Sequence, residues 1–129
     1  MTFVLDTPAL AALLFGAEGQ LGPDAKRILQ GQGPFLVPSF ELIELRLLAR
    51  RQLVPSPWAD LEQLFGSLED TTVAALDLEA TRRLPPDLDL HDALLAATAQ
   101  AHAELQEGDV VLVSPSPALK AWGGLRVMW

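Results

Sequence analysis

The run Asp109-Val110-Val111-Leu112-Val113-Ser114-Pro115-Ser116 decides the fold. Its four apolar residues follow one another without polar alternation, the pattern of a strand covered on both faces. Such strands belong to parallel sheets with helices packed on either side. The segment predicts a strand over 109–113, halted by Ser-Pro-Ser and followed by a short helix over 116–122. Similar short runs predict strands at Phe3–Leu5, Pro34–Val37, Thr72–Ala75 and Leu125–Met128.

Helical segments fill the intervals. Thr7-Pro8 offers an N-cap and an N1 proline for a Leu/Ala helix that runs to Phe15 before Gly16. Further helices are expected at Asp24–Gln30, Pro38–Arg51, Pro57–Leu68, Asp77–Leu84 and Asp92–Leu105. Pro85-Pro86 and Gly108 end the last two. The order β-α-α-β-α-α-β-α-α-β-α-β predicts a three-layer α/β fold, a central parallel sheet flanked by helices, as a single domain over 1–129.

Composition narrows the function. With 9 basic against 17 acidic residues and a net charge of −8, bulk attraction to nucleic acid or anionic membrane is excluded as the main binding term. Zero Cys excludes disulfides, thiolate metal sites and thiol catalysis. Two His are too few for a His-rich zinc site. The N-terminus has no basic residue ahead of its apolar stretch, and the apolar run Pro8–Ala17 is about half a membrane span. A soluble, cytoplasmic protein is expected, with no membrane partner.

Ligands of open α/β sheets bind outside the carboxyl ends of the strands. Asp6 follows the first strand, Glu44 lies on the helix after the second, Asp92 opens the Ala-rich helix, and Ser114 and Ser116 follow the fourth strand. At about 100° per residue, Glu44 falls inside the apolar arc of Phe40, Ile43, Leu47 and Leu48. Glu41 falls on its margin. A carboxylate on that arc is costly unless it meets a cation or snorkels outward.

On the helix of Asp92, the residues Ala96, Ala99 and Ala103 share its face within about 40° and allow close approach to the sheet. Asp89-x-x-Asp92 reads equally well as an N-cap with an acid at N3. Pro8, two residues after Asp6, removes the second acid of a haloacid-dehalogenase-like phosphatase site. Three acids without a balancing Lys make sense around a hard divalent cation, Mg²⁺ or Mn²⁺, whose natural chemistry is phosphodiester hydrolysis.

The chain resembles the PIN-domain ribonucleases, in particular the VapC-type toxins of bacterial toxin–antitoxin pairs. The resemblance rests on Phe3-Val-Leu-Asp-Thr-Pro-Ala-Leu, Val37-Pro-Ser-Phe-Glu-Leu-Ile-Glu44, His91-Asp-Ala-Leu-Leu-Ala-Ala-Thr-Ala, Val111-Leu-Val-Ser-Pro-Ser-Pro-Ala-Leu and Leu125-Arg-Val-Met-Trp. It implies a PIN-like fold with Asp6, Glu44 and Asp92 as catalytic residues holding Mg²⁺ or Mn²⁺. It also implies an RNA substrate, a small antitoxin partner and a homodimer.

The family places Thr-x-Asp after the fourth strand. Here Ser114 keeps the hydroxyl and Ser116 stands where the fourth acid is usual. An altered nuclease and a PIN-like module retained for protein or RNA binding are both open on this evidence.

Arg46, Arg50-Arg51 and Arg82-Arg83 read either as phosphate contacts or as solvated helix faces paired with Glu. Leu42, Leu45 and Ala49 form a second apolar strip on the Glu44 helix, read as core or as a partner contact. Trp58, Trp122 and Trp129 read as packing residues. His91 and His102 belong to no recognisable cluster and receive no ligand role.

Overall fold

The computed structural model describes residues 1–16, 18–31, 33–51, 63, 68–106 and 108–129. The helix expected over Pro57–Leu68 lies almost wholly outside the described residues, as does Trp58.

Strand β1 is Thr2–Leu5, followed by helices α1 (Thr7–Phe15) and α2 (Pro23–Gln30). Strand β2 is Phe35–Pro38 and leads directly into α3 (Ser39–Arg50). Strand β3 (Thr71–Ala74) precedes the short α4 (Leu78–Thr81) and the long α5 (Leu90–Leu105). Strand β4 (Val110–Val113), α6 (Pro117–Trp122) and β5 (Arg126–Met128) complete the chain. The strands form one parallel sheet in the order β3-β2-β1-β4-β5. Phe3 stands opposite both Phe35 and Val111, which fixes the register of the three central strands.

Alternate residues of these strands feed two cores. Leu5, Phe35, Val37 and Val113 pack with Leu10, Ile28 and Leu45 on the face of α1, α2 and α3. Val4, Leu36, Val110 and Leu112 pack with Leu95, Ala96, Ala99 and Leu119 on the face of α5 and α6. Ala96, Ala97 and Ala99 of α5 are fully buried, and their small side chains set the helix close on the sheet. The absence of polar alternation in β1, β2 and β4 thus has the expected cause. At the sheet's edge β3 departs from it, with Thr72 and Val73 exposed.

Element ends differ from the sequence expectations for local reasons. Asp6, and not Thr7, caps α1, its carboxylate accepting the Thr7 N–H at 2.7 Å. Helix α5 starts two residues earlier than expected because Asp89 caps it, accepting the Asp92 N–H at 2.9 Å. Helix α4 is a single turn capped by Asp77, shorter than the span 77–84.

The arc assigned to α3 needs a larger correction. Ile43 is 68% and Leu47 46% exposed, whereas Phe40, Glu41 and Leu45 are buried. The helix turns its Leu45 side, with Leu42 and Ala49 partly buried, towards the core. Glu44 is therefore half-buried, and the carboxylate that enters the interior is Glu41.

Candidate metal centre

All five strands point the same way, so their carboxyl ends share one edge. The strand order reverses direction between β1 and β4, and a crevice opens outside the sheet at such a point. Asp6 leaves β1 and Ser114 leaves β4 at this crevice. Helix α3 enters it from β2, and the first turn of α5 brings His91 and Asp92.

These side chains form one continuous hydrogen-bonded chain. Thr7 Oγ1 donates to Glu44 Oε2 at 2.7 Å. His91 lies between two acids, with Nδ1 2.5 Å from Glu44 Oε1 and Nε2 2.8 Å from Asp6 Oδ1. Ser114 Oγ donates to the other Asp6 oxygen at 2.5 Å. The Ser116 N–H donates to Ser114 Oγ at 3.1 Å, and Ser116 Oγ donates to Asp92 Oδ2 at 2.7 Å. Asp6, Glu44, Asp92, Ser114 and Ser116, singled out one by one in the sequence, are thus brought into one network.

Two members were not foreseen. His91 received no role from the sequence, yet it joins Asp6 to Glu44. Glu41 was placed on the margin of its helix face, yet it is 0% exposed. Neither of its carboxylate oxygens has a hydrogen-bond donor among the described residues. One ligand atom each from Asp6, Glu41 and His91 lie within 4.8 Å of one another. For His91 the sequence carries no signal, because adjacent helix positions point about 100° apart. For Glu41 the signal was its spacing of one turn from Glu44.

The electrostatics follow from this crowding. Burial pushes the Asp6 carboxyl up, but the hydrogen bonds from His91 and Ser114, the His91 charge and the Thr7 N–H hold it below its ordinary value. The hydrogen bond to Asp6 outweighs burial at His91, and with Glu44 it raises the imidazole from 6.5 to about 9. Burial is the first cause at Glu41, followed by the charges of Asp6 and Glu44 and a contact with Asp6 that only a protonated Glu41 can use. Together they raise it well above the usual carboxylate range. Three carboxylates, Asp6, Glu41 and Glu44, surround one imidazole, an arrangement that fits an additional cation.

Beside Ser114 and Ser116 runs a groove of about 400 Å³, lined also by Lys120, Met128 and Trp129. Arg82 and Arg83 take the solvated reading: they pair with Glu79 and with Glu79 and Glu104, respectively.

No protein-family model and no curated protein sequence matches the chain. Solved structures do. A toxin–antitoxin complex from Klebsiella pneumoniae contains a chain with 19% identity and a TM-score of 0.68, the match covering 99% of this chain and 97% of that one. VapBC2 from Rickettsia felis, bound to a DNA fragment from its promoter, gives 15% identity and a TM-score of 0.67 over 99% and 98% of the two chains. DNA-bound VapBC from Salmonella typhimurium gives 18% identity and a TM-score of 0.67 over 99% and 97%. The fold is PIN-like.

In this PIN-like fold Ser116 caps α6, with the Leu119 N–H donating to its Oγ at 3.3 Å. The same hydroxyl donates to Asp92 and so orients an acid at the crevice. The Asp89 carboxylate is exposed and caps α5.

Proposed function

We propose that residues 1–129 form a single PIN-like domain acting as a metal-dependent endoribonuclease, the cytoplasmic toxin of a pair with a small antitoxin, and working as a homodimer. Its catalytic residues are Asp6, Glu44 and Asp92, which would hold Mg²⁺ or Mn²⁺. The observation that supports this reading best is the network running from Glu44 through His91, Asp6, Ser114 and Ser116 to Asp92 at the sheet's carboxyl edge.

The donor set fits a divalent cation: the carboxylates are oxygen ligands, and Glu41 adds a buried one without a hydrogen-bond donor. Bound there, the cation supplies activation of water and neutralisation of charge on the phosphate under attack.

The chain's own groups do the positioning. Ser114 holds one oxygen of Asp6, Thr7 holds one oxygen of Glu44, and Ser116 holds one oxygen of Asp92. Each acid is thereby fixed while keeping further lone pairs for a ligand. Lys120, on the rim of the groove beside Ser116, is a cation that can meet an RNA phosphate and offset the net charge of −8 locally. Among the described residues no helix is long and apolar enough to cross a membrane.

The test is cleavage of a mixed RNA pool by the purified protein in Mn²⁺, with chelator, and with Asp92→Asn in parallel. Metal-dependent cleavage lost in Asp92→Asn is the expected result. Failure to cleave favours the second reading, a PIN-like module retained for protein or RNA binding. The neutral Ser116 at the fourth acid position favours that alternative.

A further inference from the structure

We propose that Glu41 and His91 are ligands of the cation site, making it a mixed carboxylate–imidazole centre that selects a first-row transition-metal dication over Mg²⁺. The inference rests on the reading of this crevice as a metal centre and specifies which metal class it takes.

Three observations carry it. The first is Glu41, a fully buried carboxylate whose two oxygens meet no donor among the described residues. A buried carboxylate left without donors is costly, and a cation within reach removes that cost. The second is proximity. Ligand atoms of Asp6, Glu41 and His91 already lie within 4.8 Å of one another. Three atoms within 4.8 Å of one another lie within about 2.8 Å of a common point, so a closure of under about 1 Å by each brings all three to the radius of about 2.1 Å of a coordination sphere.

The third is the setting of the imidazole. A metal-ligating histidine donates its other ring N–H to a carboxylate, which fixes the tautomer and turns the free nitrogen towards the ion. His91 is set for this arrangement: Nδ1 lies 2.5 Å from Glu44 Oε1, and Nε2, hydrogen-bonded to Asp6 at 2.8 Å, would give up its proton to the ion that Asp6 also ligates. Thr7 anchors Glu44 from behind. On this assignment Glu44, one of the acids of the proposed centre, also orients His91 through Oε1, and Glu41 supplies a further, buried oxygen ligand.

The donor chemistry then sets the preference. Mg²⁺ favours oxygen ligands in near-ideal octahedral geometry, whereas imidazole suits first-row transition metals. Ser116 withholds an oxygen ligand from the site, and His91 supplies a nitrogen.

The experiment uses the untagged full chain with Mn²⁺ and Mg²⁺ and needs no RNA. Affinities are measured calorimetrically, and pulsed electron paramagnetic resonance of bound Mn²⁺ detects coupling to a directly ligated nitrogen. The chain has two His, so in His102→Gln any imidazole coupling arises from His91. The expected result is Mn²⁺ bound at least about tenfold tighter than Mg²⁺, with nitrogen coupling kept in His102→Gln and lost in His91→Gln. Glu41→Gln weakens Mn²⁺ by at least about tenfold.

Mn²⁺ bound without nitrogen coupling, or Mg²⁺ bound as tightly as Mn²⁺, overturns this inference and leaves the cation site of the proposed nuclease standing. Absence of binding by either ion overturns both. The His102→Gln arm decides the matter even where His91→Gln fails to fold.

Discussion

Ser116 Oγ lies 2.7 Å from Asp92 Oδ2 and donates to it, while the same oxygen accepts the Leu119 N–H in the first turn of α6. One hydroxyl therefore caps a helix and orients an acid at the crevice. Ser116→Ala removes both functions. The loss of a serine cap costs about 1 kcal/mol, to be read as a lowered urea midpoint in chelator. Ser116→Asp keeps a competent cap but sets a second carboxylate against Asp92. Its urea midpoint in chelator is expected to fall, and its midpoint in saturating Mn²⁺ to rise relative to the parent. A Mn²⁺-induced rise no larger than the parent's would show that position 116 does not face the cation.

The layers of this fold were legible because β1, β2 and β4 are short unbroken apolar runs, and only strands covered on both faces look like that. The edge strand β3 carries the weaker signal of Thr-Thr-Val-Ala and is displaced by one residue from its expected span. Asp6 and Ser114 were legible because they immediately follow strands, which fixes their place in any parallel sheet. Glu41 and His91 were not, because their placement depends on how α3 and α5 rotate about their axes. Helix α3 has apolar residues on two sides, so periodicity offered two possible inner faces, and the packing of Leu45 against the core chose the other one.

The imidazole between Asp6 and Glu44 gives the chelated protein a defined pH dependence. The folded value of His91, about 9, lies above its ordinary 6.5. Its contribution is fully present below 6.5 and is lost as pH rises through about 9. Glu41, raised well above 4.5, acts in the same direction, since folding favours its neutral form. Asp6 is lowered, so its contribution is present above 3.8 and lost as pH falls through its folded value. Stability in chelator is therefore expected to be greatest in mildly acidic solution and to fall towards pH 9, the His91 part by about 2 kcal/mol because solvent screening of the partly exposed ring keeps it below the full linkage. Urea titrations across this range check it. His91→Gln flattens the part above 6.5, and Glu41→Gln flattens the part just above 4.5.

Ile43 and Leu47 stand exposed on α3, on either side of Glu44 in sequence and one turn apart. Their burial contributes little to the isolated fold, so Ile43→Glu and Leu47→Glu are expected to change stability by less than about 0.5 kcal/mol each. A homodimer or antitoxin that covers this face would lose affinity by about tenfold or more, because each substitution places a charge in an apolar contact. Light scattering over a concentration series reads the first case, and titration with the co-expressed partner reads the second. Unchanged mass and unchanged partner affinity in both variants would remove α3 from either interface.

Two glycines of α2's approach offer a matched pair. A Cβ at Gly22 would stand 2.4 Å from the Trp129 carbonyl carbon, where the Trp129 oxygen accepts the Asp24 N–H at 3.3 Å. A Cβ at Gly19 would meet nothing within 4 Å. The two substitutions to Ala make the same chemical change with and without room for it. Gly22→Ala must push residue 129 away from the start of α2, at a cost of about 1–3 kcal/mol for overpacking against backbone. Gly19→Ala is expected to fall within about 0.5 kcal/mol of the parent. Because Trp129 also lines the groove beside Ser114 and Ser116, Gly22→Ala should widen or distort that groove while leaving Asp6, Glu44 and His91 in place. The corresponding readout is weakened RNA binding with Mn²⁺ affinity unchanged. Equal urea midpoints for the two variants would mean that the contact between residue 129 and α2 contributes nothing to the fold.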